Sequence, residues 1–321
     1  NGINCNPDFF AFDDAQEAVG FLKGMEKAVV KPLGLTGGKG VKVMGTQVPK
    51  QEALDYAAML VKKDGMVLVE ECLEGEEFSL QAFVSGDIVI EMPLVQDHKR
   101  AFENDLGANT GGMGSYSDAN HLLPFVSLEE KNQALEAMRQ TMRAVKKSGV
   151  EYKGILYGQF MLTRKGPKLV EYNARFADPE SMNVLSLLQS DFTELCWKII
   201  DGTLSQKHAS FEKKATVVKY AVPEGYPDNP LKGAEITVDE GKINSLGGEV
   251  FYASVSEENG RLSLGGSRAI AVLGKGGSIG EAEGIAQKAI ETVKGKIFYR
   301  KDIGTKELIE KRIGHMRTIK G

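Results

Sequence analysis

Cysteine and tryptophan are scarce in this chain. Its 321 residues include 3 cysteines and 1 tryptophan. Cys5, Cys72 and Cys196 are far apart and form no Cys-x-x-Cys pair, so the sequence lacks both a structural zinc pattern and a disulfide framework. This cysteine usage indicates a protein of a reducing compartment.

Long apolar runs and an excess of charge of one sign are also missing. No uninterrupted apolar run reaches the ~20 residues that a membrane span needs, and the first residues do not have the pattern expected of a signal peptide. The formal net charge of −4 has no electrostatic signature of nucleic-acid or membrane binding. We therefore expect a cytoplasmic protein of two or three domains, with no nucleic-acid or membrane partner.

Glycine, by contrast, is abundant, with 37 residues. The segment 33–40 is a glycine-rich loop between two predicted strands, 27–32 and 41–44. It fits neither the Walker pattern nor Gly-x-Gly-x-x-Gly. If it binds phosphate, it does so through backbone N–H groups as a strand–loop–strand flap, with Lys31 reaching the same phosphates. The alternative is a flexible hairpin tip.

The segment 169–180 places chemically related groups on one side of a predicted strand. Strand residues alternate between faces, which predicts a polar face of Glu171, Asn173 and Arg175 and an apolar face of Tyr172, Ala174 and Phe176. Carboxylate and amide oxygens are ligands that Mg²⁺ accepts, and arginine suits phosphate or carboxylate oxygens. The preceding strand carries Gln159, which we expect to face Glu171. The alternative is a solvated strand end.

The segment 93–115 is predicted to be a long irregular loop, which in compact domains is usually functional or disordered. It is rich in glycine, amides and cations, including Lys99 and Arg100, and so suits a sugar-phosphate pocket. His98 alone has no functional signature. Another predicted strand, 66–73, ends in the acids Glu70 and Glu71, where a solvated strand end is an equally good interpretation.

The remaining pattern predicts an α+β fold. Helices are expected from 15 to about 24, from 50 to 63, after the capping box Ser127/Glu130, and after Pro179. From about 211 the chain is predicted to be β-rich, with one helix at about 280–295.

Several motifs together resemble the ATP-grasp enzymes, and most closely the phosphoribosylamine–glycine ligase family. They are the segments 30–41, 69–77, 96–100, 109–116, 171–180 and 300–304. The resemblance implies an ATP-grasp fold of antiparallel sheets and helices with a lid subdomain, followed by a small β-rich carboxy-terminal domain. It implies an ATP-grasp core at 1–27 and 91–210, a lid at 28–90 and a carboxy-terminal domain at 211–321. The family's amino-terminal domain has no counterpart in these 321 residues. We therefore expect that a separate chain supplies this domain as a partner.

The resemblance also implies roles for individual residues. ATP would be bound by Lys31, Gly37, Gly38, Lys39, Gly40, Glu70, Glu71, Leu73 and Glu77. Magnesium, or manganese, would be bound by Glu171 and Asn173, and the catalytic residues would be Arg175 and Asp178. Phosphoribosylamine would meet Asp97, His98, Lys99, Arg100, Asn109, Thr110, Gly111, Gly112 and Arg300.

The implied reaction is ATP-dependent ligation of glycine to phosphoribosylamine through glycyl phosphate, a step of purine biosynthesis. Two alternatives are another ATP-grasp carboxylate–amine ligase and the nucleotide-binding half of a split enzyme. The sequence departs from the family pattern in two places. Gln159 stands where many ATP-grasp enzymes have a second acid, and Ala177 replaces a glycine, which matters if that position needs a positive φ.

Overall fold

The structure, a computed structural model, describes residues 2–34 and 40–321. Gly37, Gly38 and Lys39 of the predicted phosphate loop lie outside these residues. The chain divides into two compact units. The smaller unit comprises Asn4–Glu74 and Lys168–Val170, and the larger unit comprises Gly75–Pro167 and Glu171–Gly321 with the first residues of the chain.

The smaller unit is a four-stranded antiparallel sheet with two helices. Its elements are β1 (Phe9–Phe12), α1 (Ala15–Lys23), β2 (Ala28–Lys31), β3 (Lys42–Met44), α2 (Lys50–Asp64) and β4 (Val67–Glu70). The strand order is β1-β4-β2-β3. Helix α1 begins after Asp14, whose side chain accepts hydrogen bonds from Gln16 and Glu17 N–H groups, as expected for an N-cap. Apolar residues of both helices, among them Leu22 and Leu60, form the core with the sheet.

The larger unit begins with the strands and helices that surround the site. These are β5 (Glu76–Ser85), β6 (Ile88–Glu91), β7 (Gln96–Asp97), β8 (Arg100–Phe102), β9 (Leu106–Asn109), β10 (Gly114–Ser117), α3 (Leu128–Lys147), β11 (Lys153–Thr163), β12 (Gly166–Asn173), α4 (Glu180–Leu185) and α5 (Phe192–Ile200). Helix α3 starts at the predicted capping box of Ser127 and Glu130.

The rest of the larger unit is β-rich, as predicted. Its elements are β13 (Ala215–Pro223), β14 (Glu235–Thr237), α6 (Glu240–Ser245), β15 (Gly248–Tyr252), β16 (Val255–Glu258), β17 (Arg261–Leu264), β18 (Ile270–Gly276), α7 (Ile279–Ile290), β19 (Lys294–Gly295), β20 (Ile297–Phe298) and α8 (Lys306–Lys320).

Two sheets of the larger unit position the site. One has the order β12-β11-β5-β6, and the other has the order β15-β18-β13-β10-β7, with β20 paired to β13. In the second sheet β10 is antiparallel to β13, with Gly114 opposite Lys219. Segments near residue 115 and near residue 220 are therefore hydrogen-bonded neighbours.

Two expectations about local structure are wrong. The segment 93–115 is not an irregular loop, because it forms the short strands β7, β8, β9 and the start of β10. Strand β12 ends at Asn173, so it does not carry Arg175 along the face of Glu171, and Ala174 is exposed.

Within the described part of the chain, no helix is long and apolar enough to cross a membrane.

Candidate active site

In the smaller unit, the predicted phosphate-binding lysine lies at the end of β2. Lys31 Nζ is 2.7 Å from Glu70 Oε1, at the end of β4. The Glu71 carboxylate accepts a hydrogen bond from the Asp8 N–H at 3.0 Å. The two predicted acids thus bind groups within this unit, and Lys31 is the basic partner of one of them.

In the larger unit, a cation lies at the centre of a group of acids. Lys99 Nζ is 2.6 Å from Glu77 Oε2, and Gln159 Nε2 donates to the same oxygen at 2.8 Å. Gln159 lies on β11 opposite Ser79 of β5, so its side chain reaches Glu77 across the strand pair. Its described hydrogen bonds are with Glu77 and Tyr157 rather than with Glu171.

Two further carboxyl groups, Asp97 and Glu180, are close to this cation. Glu180 is buried, with 2% of its surface exposed, and it accepts a hydrogen bond from the Tyr157 hydroxyl at 3.0 Å. Asp97 Oδ1 is buried and has no hydrogen-bond partner among the described residues. Burial, followed by the charge of Glu180, raises the pKa of Asp97 well above its usual value. Burial also raises the pKa of Glu180. The two neighbouring carboxyl groups therefore bind a proton more readily than free carboxyl groups do.

Arg268 is a site residue that the sequence did not reveal. Its Nη2 is 2.9 Å from Asp178 Oδ2, and its Nη1 donates to the carbonyl oxygens of Gly111 at 2.7 Å and Gly112 at 3.2 Å. Tyr220 donates to Asp178 Oδ1 at 2.8 Å. Arg268 thus joins the Gly111–Gly112 backbone to the predicted catalytic Asp178. Only tertiary structure brings these distant residues together.

The Gly111–Gly112 backbone also approaches Asp97 closely. Gly112 has φ +113°, and a Cβ there would lie 2.7 Å from Asp97 Oδ1 and 2.6 Å from Pro179 Cδ. The Thr110 hydroxyl accepts from the Gly112 N–H at 3.0 Å and donates to the Lys99 carbonyl oxygen at 2.9 Å. Glycine is therefore required by both backbone conformation and space.

The predicted metal ligands are neighbours on one face of β12. Asn173 Nδ2 donates to Glu171 Oε1 at 2.9 Å, and Glu171 is exposed. The described residues contain no group of three or more His, Cys, Asp or Glu side chains able to hold a metal. One carboxylate and one amide oxygen still fit Mg²⁺, which usually takes one or two protein ligands and completes its shell with water and phosphate. Arg175 is exposed and donates to the Phe176 carbonyl oxygen at 3.0 Å.

Two residues predicted to bind substrate lie in a different environment. Arg300 is 1% exposed and forms ion pairs with Asp105 at 3.0 Å and Asp302 at 2.7 Å. His98 is also buried, and burial, followed by the charges of Arg300 and Arg312, lowers its pKa to about 3. Both side chains are shielded from solvent, and their role in substrate binding stays a prediction. His98 lies near Arg300 and Arg312, whereas Lys99 contacts Glu77, so the two neighbouring side chains have different surroundings.

The remaining predicted positions include a hairpin formed by β8 and β9. Arg100 and Asn109 are paired across it, and the Arg100 guanidinium donates to the Gly107 carbonyl oxygen at 2.8 Å. Ala177 is buried and is not among the residues with positive φ. Its methyl group therefore requires no strained backbone.

The sheets and helices of this chain are those of the ATP-grasp class. The structure is similar to the MgADP complex of the biotin carboxylase domain of Hydrogenobacter thermophilus 2-oxoglutarate carboxylase, with TM-score 0.65 and 17% identity. That similarity covers 97% of this chain and 66% of the other. A phosphoribosylamine–glycine ligase of Thermotoga maritima is more similar, with TM-score 0.80 and 30% identity over 92% of this chain and 74% of that one. The ATP-grasp fold predicted from the sequence is confirmed.

Sequence comparisons define the family. Residues 1–181 match the phosphoribosylglycinamide synthetase ATP-grasp domain, and residues 216–306 match the C domain of the same enzyme. The phosphoribosylamine–glycine ligase of Methanosarcina barkeri is 51% identical over 322 residues, covering 100% of this chain and 73% of the relative. That of Methanocaldococcus jannaschii is 53% identical over 298 residues, covering 92% of this chain and 67% of the relative.

The chain belongs to the phosphoribosylamine–glycine ligase family, as its motifs predicted. It is an ATP-grasp ligase, and the expected function in purine biosynthesis is confirmed at the level of the family. ATP-grasp enzymes use ATP together with a divalent metal ion.

Proposed function

We propose that this chain joins glycine to phosphoribosylamine in two steps. A carboxylate oxygen of glycine attacks the γ-phosphorus of ATP, the bond to ADP breaks, and glycyl phosphate forms. The amine nitrogen of phosphoribosylamine then attacks the carbonyl carbon, phosphate leaves, and the nitrogen loses a proton. The observation that carries this proposal is the cluster of Lys99 with Glu77, Asp97 and Glu180. It supplies a cation for anionic substrates and a carboxylate for the proton.

In the smaller unit, we assign Lys31 to an ATP phosphate. Its ion pair with Glu70 holds the ammonium group in place, and phosphate oxygens are stronger partners for it than a single carboxylate. Gly37, Gly38, Lys39 and Gly40 keep the role of phosphate loop that the resemblance implies. Glu70, Glu71 and Leu73 keep the role of adenine contacts.

In the larger unit, Glu171 and Asn173 are the residues that would hold Mg²⁺. The two side chains are neighbours at the end of β12, where Asn173 Nδ2 donates to Glu171 Oε1. A carboxylate and an amide oxygen fit a metal that shares its remaining positions with phosphate and water. Bound there, the metal would neutralise phosphate charge during transfer. Manganese accepts the same oxygen ligands. Arg175, exposed and adjacent, is assigned to the transferred phosphoryl group.

The second step uses the cluster around Lys99. We assign Asp97 as the acceptor of the proton that the amine loses, because one of its buried oxygens has no partner among the described residues. Its raised pKa brings it nearer to neutrality, where a general base works best. Glu77 binds the ribose of ATP. Arg268 and Asp178 fix the 111–112 backbone, which binds phosphoribosylamine together with Arg100, Asn109 and Thr110.

Catalysis here is mainly the positioning of reactants and the neutralisation of charge. Acyl-phosphate chemistry needs no protein nucleophile, so oriented cations and carboxylates can carry both steps. Cytoplasmic location and a separate amino-terminal domain chain stay predictions. Adding that domain to a purified sample and measuring the change in rate tests the second.

The test is glycine-dependent release of ADP with Mg²⁺, ATP and freshly generated phosphoribosylamine. We expect release to need both substrates and to be lost in Glu171→Ala. Arg268→Met removes charged hydrogen bonds worth about 1.5–3 kcal/mol, so kcat/KM falls roughly 10- to 100-fold. Arg261→Met, the same change at an exposed position on β17, is the matched control. Full activity in Arg268→Met contradicts the proposal, and so does a rate of ADP release that is the same with and without glycine.

A further inference from the structure

Neighbouring residues at the start of β5 point to opposite sides of the strand. The Glu77 carboxylate contacts Lys99 and Gln159 in the site. The Glu76 carboxylate, with 5% of the residue exposed, points to helix α8. There Glu76 Oε1 is 2.6 Å from His315 Nδ1, and Glu76 Oε2 is 3.2 Å from Arg312 Nη1. Helix α8 therefore contacts strand β5 on the face opposite to the site.

The segment of Asp97, His98 and Lys99 shows the same alternation. Asp97 and Lys99 belong to the site, whereas the buried His98 lies near the guanidinium groups of Arg300 and Arg312. Strand β5 and the 97–99 segment thus each have one face toward the site and one face away from it. Basic side chains from residues 300–315 contact the face that is turned away from the site. The reaction assigned above uses none of these rear contacts.

The tip between β8 and β9 is strained. Asn104 and Asp105 have φ of 61° and 60°, and two consecutive non-glycine residues in the left-handed region persist only where other contacts enforce them. The Asn104 N–H donates to Asp302 Oδ2 at 2.9 Å. Asp105 Oδ1 is 3.0 Å from Arg300 Nη1, and Asp105 Oδ2 is 2.5 Å from Arg312 Nη2. The carboxy-terminal part of the chain holds this conformation in place.

One side chain belongs to both contacts. The Arg312 guanidinium bridges Glu76 of β5 and Asp105 of the tip, and it is largely buried. A planar fork with several donors can bind two carboxylates at a fixed separation, whereas an ammonium group binds as a point. Arg312 therefore sets the distance between the strand that carries Glu77 and the segment that carries Lys99.

We propose that Arg312 is a positioning residue of the ligase, which fixes Glu77 and Lys99 relative to each other from behind the site. This rests on the proposed function of that cluster. The ion pairs of Arg312 are with Glu76 and Asp105, and its charge also helps to lower the pKa of Glu77. Arg312→Lys keeps that charge, so the comparison with Arg312→Met separates the bridge from the charge. Arg312 of helix α8, far from the ATP-grasp motifs in sequence, thereby helps to position the site without contacting substrate.

The first test compares Arg312→Met with Arg317→Met, the same change at an exposed position of α8. We expect Arg312→Met to lower kcat for glycine-dependent ADP release at least tenfold at temperatures where the protein stays folded. Arg317→Met stays within twofold of the wild type. Arg312→Lys, which keeps the charge but loses the fork, recovers only part of the rate.

A double variant distinguishes two explanations for a lower rate in Arg312→Met: loss of positioning, and loss of stability from a buried charge. Arg312→Met leaves His315 as the remaining ion-pair partner of the buried Glu76. Glu76→Gln combined with Arg312→Met removes that carboxylate charge, so we expect thermal stability to recover. The rate stays low because the bridge is still missing. A double variant that regains both stability and rate overturns the proposal.

Hydrogen exchange supplies a readout that does not depend on turnover. We expect faster exchange of amides in 99–110 in Arg312→Met than in Arg317→Met, with α8 itself still protected. Unchanged exchange in 99–110 overturns the positioning role. Failure of the proposed function is a different result, namely a wild-type chain that releases no glycine-dependent ADP.

Discussion

The proposed chemistry of the site depends on the pKa values of two neighbouring acids, Asp97 and Glu180. Asp97 and Glu180 are both desolvated, which raises the pKa of each, and the charge of Glu180 raises the pKa of Asp97 further. Lys99 offsets part of this repulsion and forms its own ion pair with Glu77. The pair thus binds a proton at a higher pH than free carboxyl groups do.

A single substitution tests this at the residue scale. Burial and the Glu180 charge both raise the pKa of Asp97, and Glu180→Gln removes the second cause. The pKa of Asp97 therefore falls, and ionised Asp97 persists to lower pH. We expect the acidic limb of the kcat/KM profile to move to lower pH. Glu129→Gln, an exposed position on α3, is the control, and an unmoved limb in Glu180→Gln removes Asp97 as the base.

Sequence patterns predicted some of these residues and missed others for physical reasons. Glu171 and Asn173 are two apart on a strand, so alternation alone makes them neighbours. Arg268 and Tyr220 reach Asp178 only because distant segments fold together, and no local pattern records that. His98 could have been separated from Asp97 and Lys99 if the segment had been treated as extended rather than as a loop.

At the scale of elements, short strands take the place of the predicted irregular loop. β7 and β10 join 96–117 to β13, and β8 and β9 form a hairpin. Glycine, amide and cationic residues have low strand propensity, which is why the sequence indicated a loop. Backbone pairing with β13 overrides that preference and gives the glycine-rich turn a fixed conformation.

This turn is tested by Gly112→Ala. The new methyl group would lie 2.7 Å from Asp97 Oδ1 and 2.6 Å from Pro179 Cδ, on a backbone with φ +113°. We expect loss of at least 90% of glycine-dependent ADP release, because Asp97 or the turn must move.

Gly149→Ala is the control for backbone strain alone. Gly149 has φ +87°, but a Cβ there meets nothing within 4 Å. This variant loses stability and keeps its turnover when assayed below its melting temperature. Equal turnover in the two variants would show that the contact with Asp97 has no role.

At the scale of the whole molecule, each compact unit has its own core. Leu22 of α1 and Leu60 of α2 pack in the smaller unit, and Ile270 of β18 packs with α7 residues in the larger unit. The α+β class, most helices and the β-rich carboxy-terminal part followed from periodicity and caps. The pairing of β10 with β13 did not, because strand order depends on contacts between segments about a hundred residues apart.

Because the two units have separate cores, we expect a core substitution in one unit to change hydrogen exchange in that unit alone. Leu22→Ala removes a fully buried side chain and leaves a cavity, which costs about 2–5 kcal/mol. Because that core lies within Asn4–Glu74, we expect hydrogen exchange to accelerate in α1, α2 and β4 and to stay unchanged in β13 and β18. Leu80→Ala, in the core of the larger unit, gives the reverse pattern, and Leu128→Ala, at an exposed position, changes neither. Equal acceleration in both units after Leu22→Ala would mean that the chain unfolds as one cooperative body, and that its two cores are stabilised together.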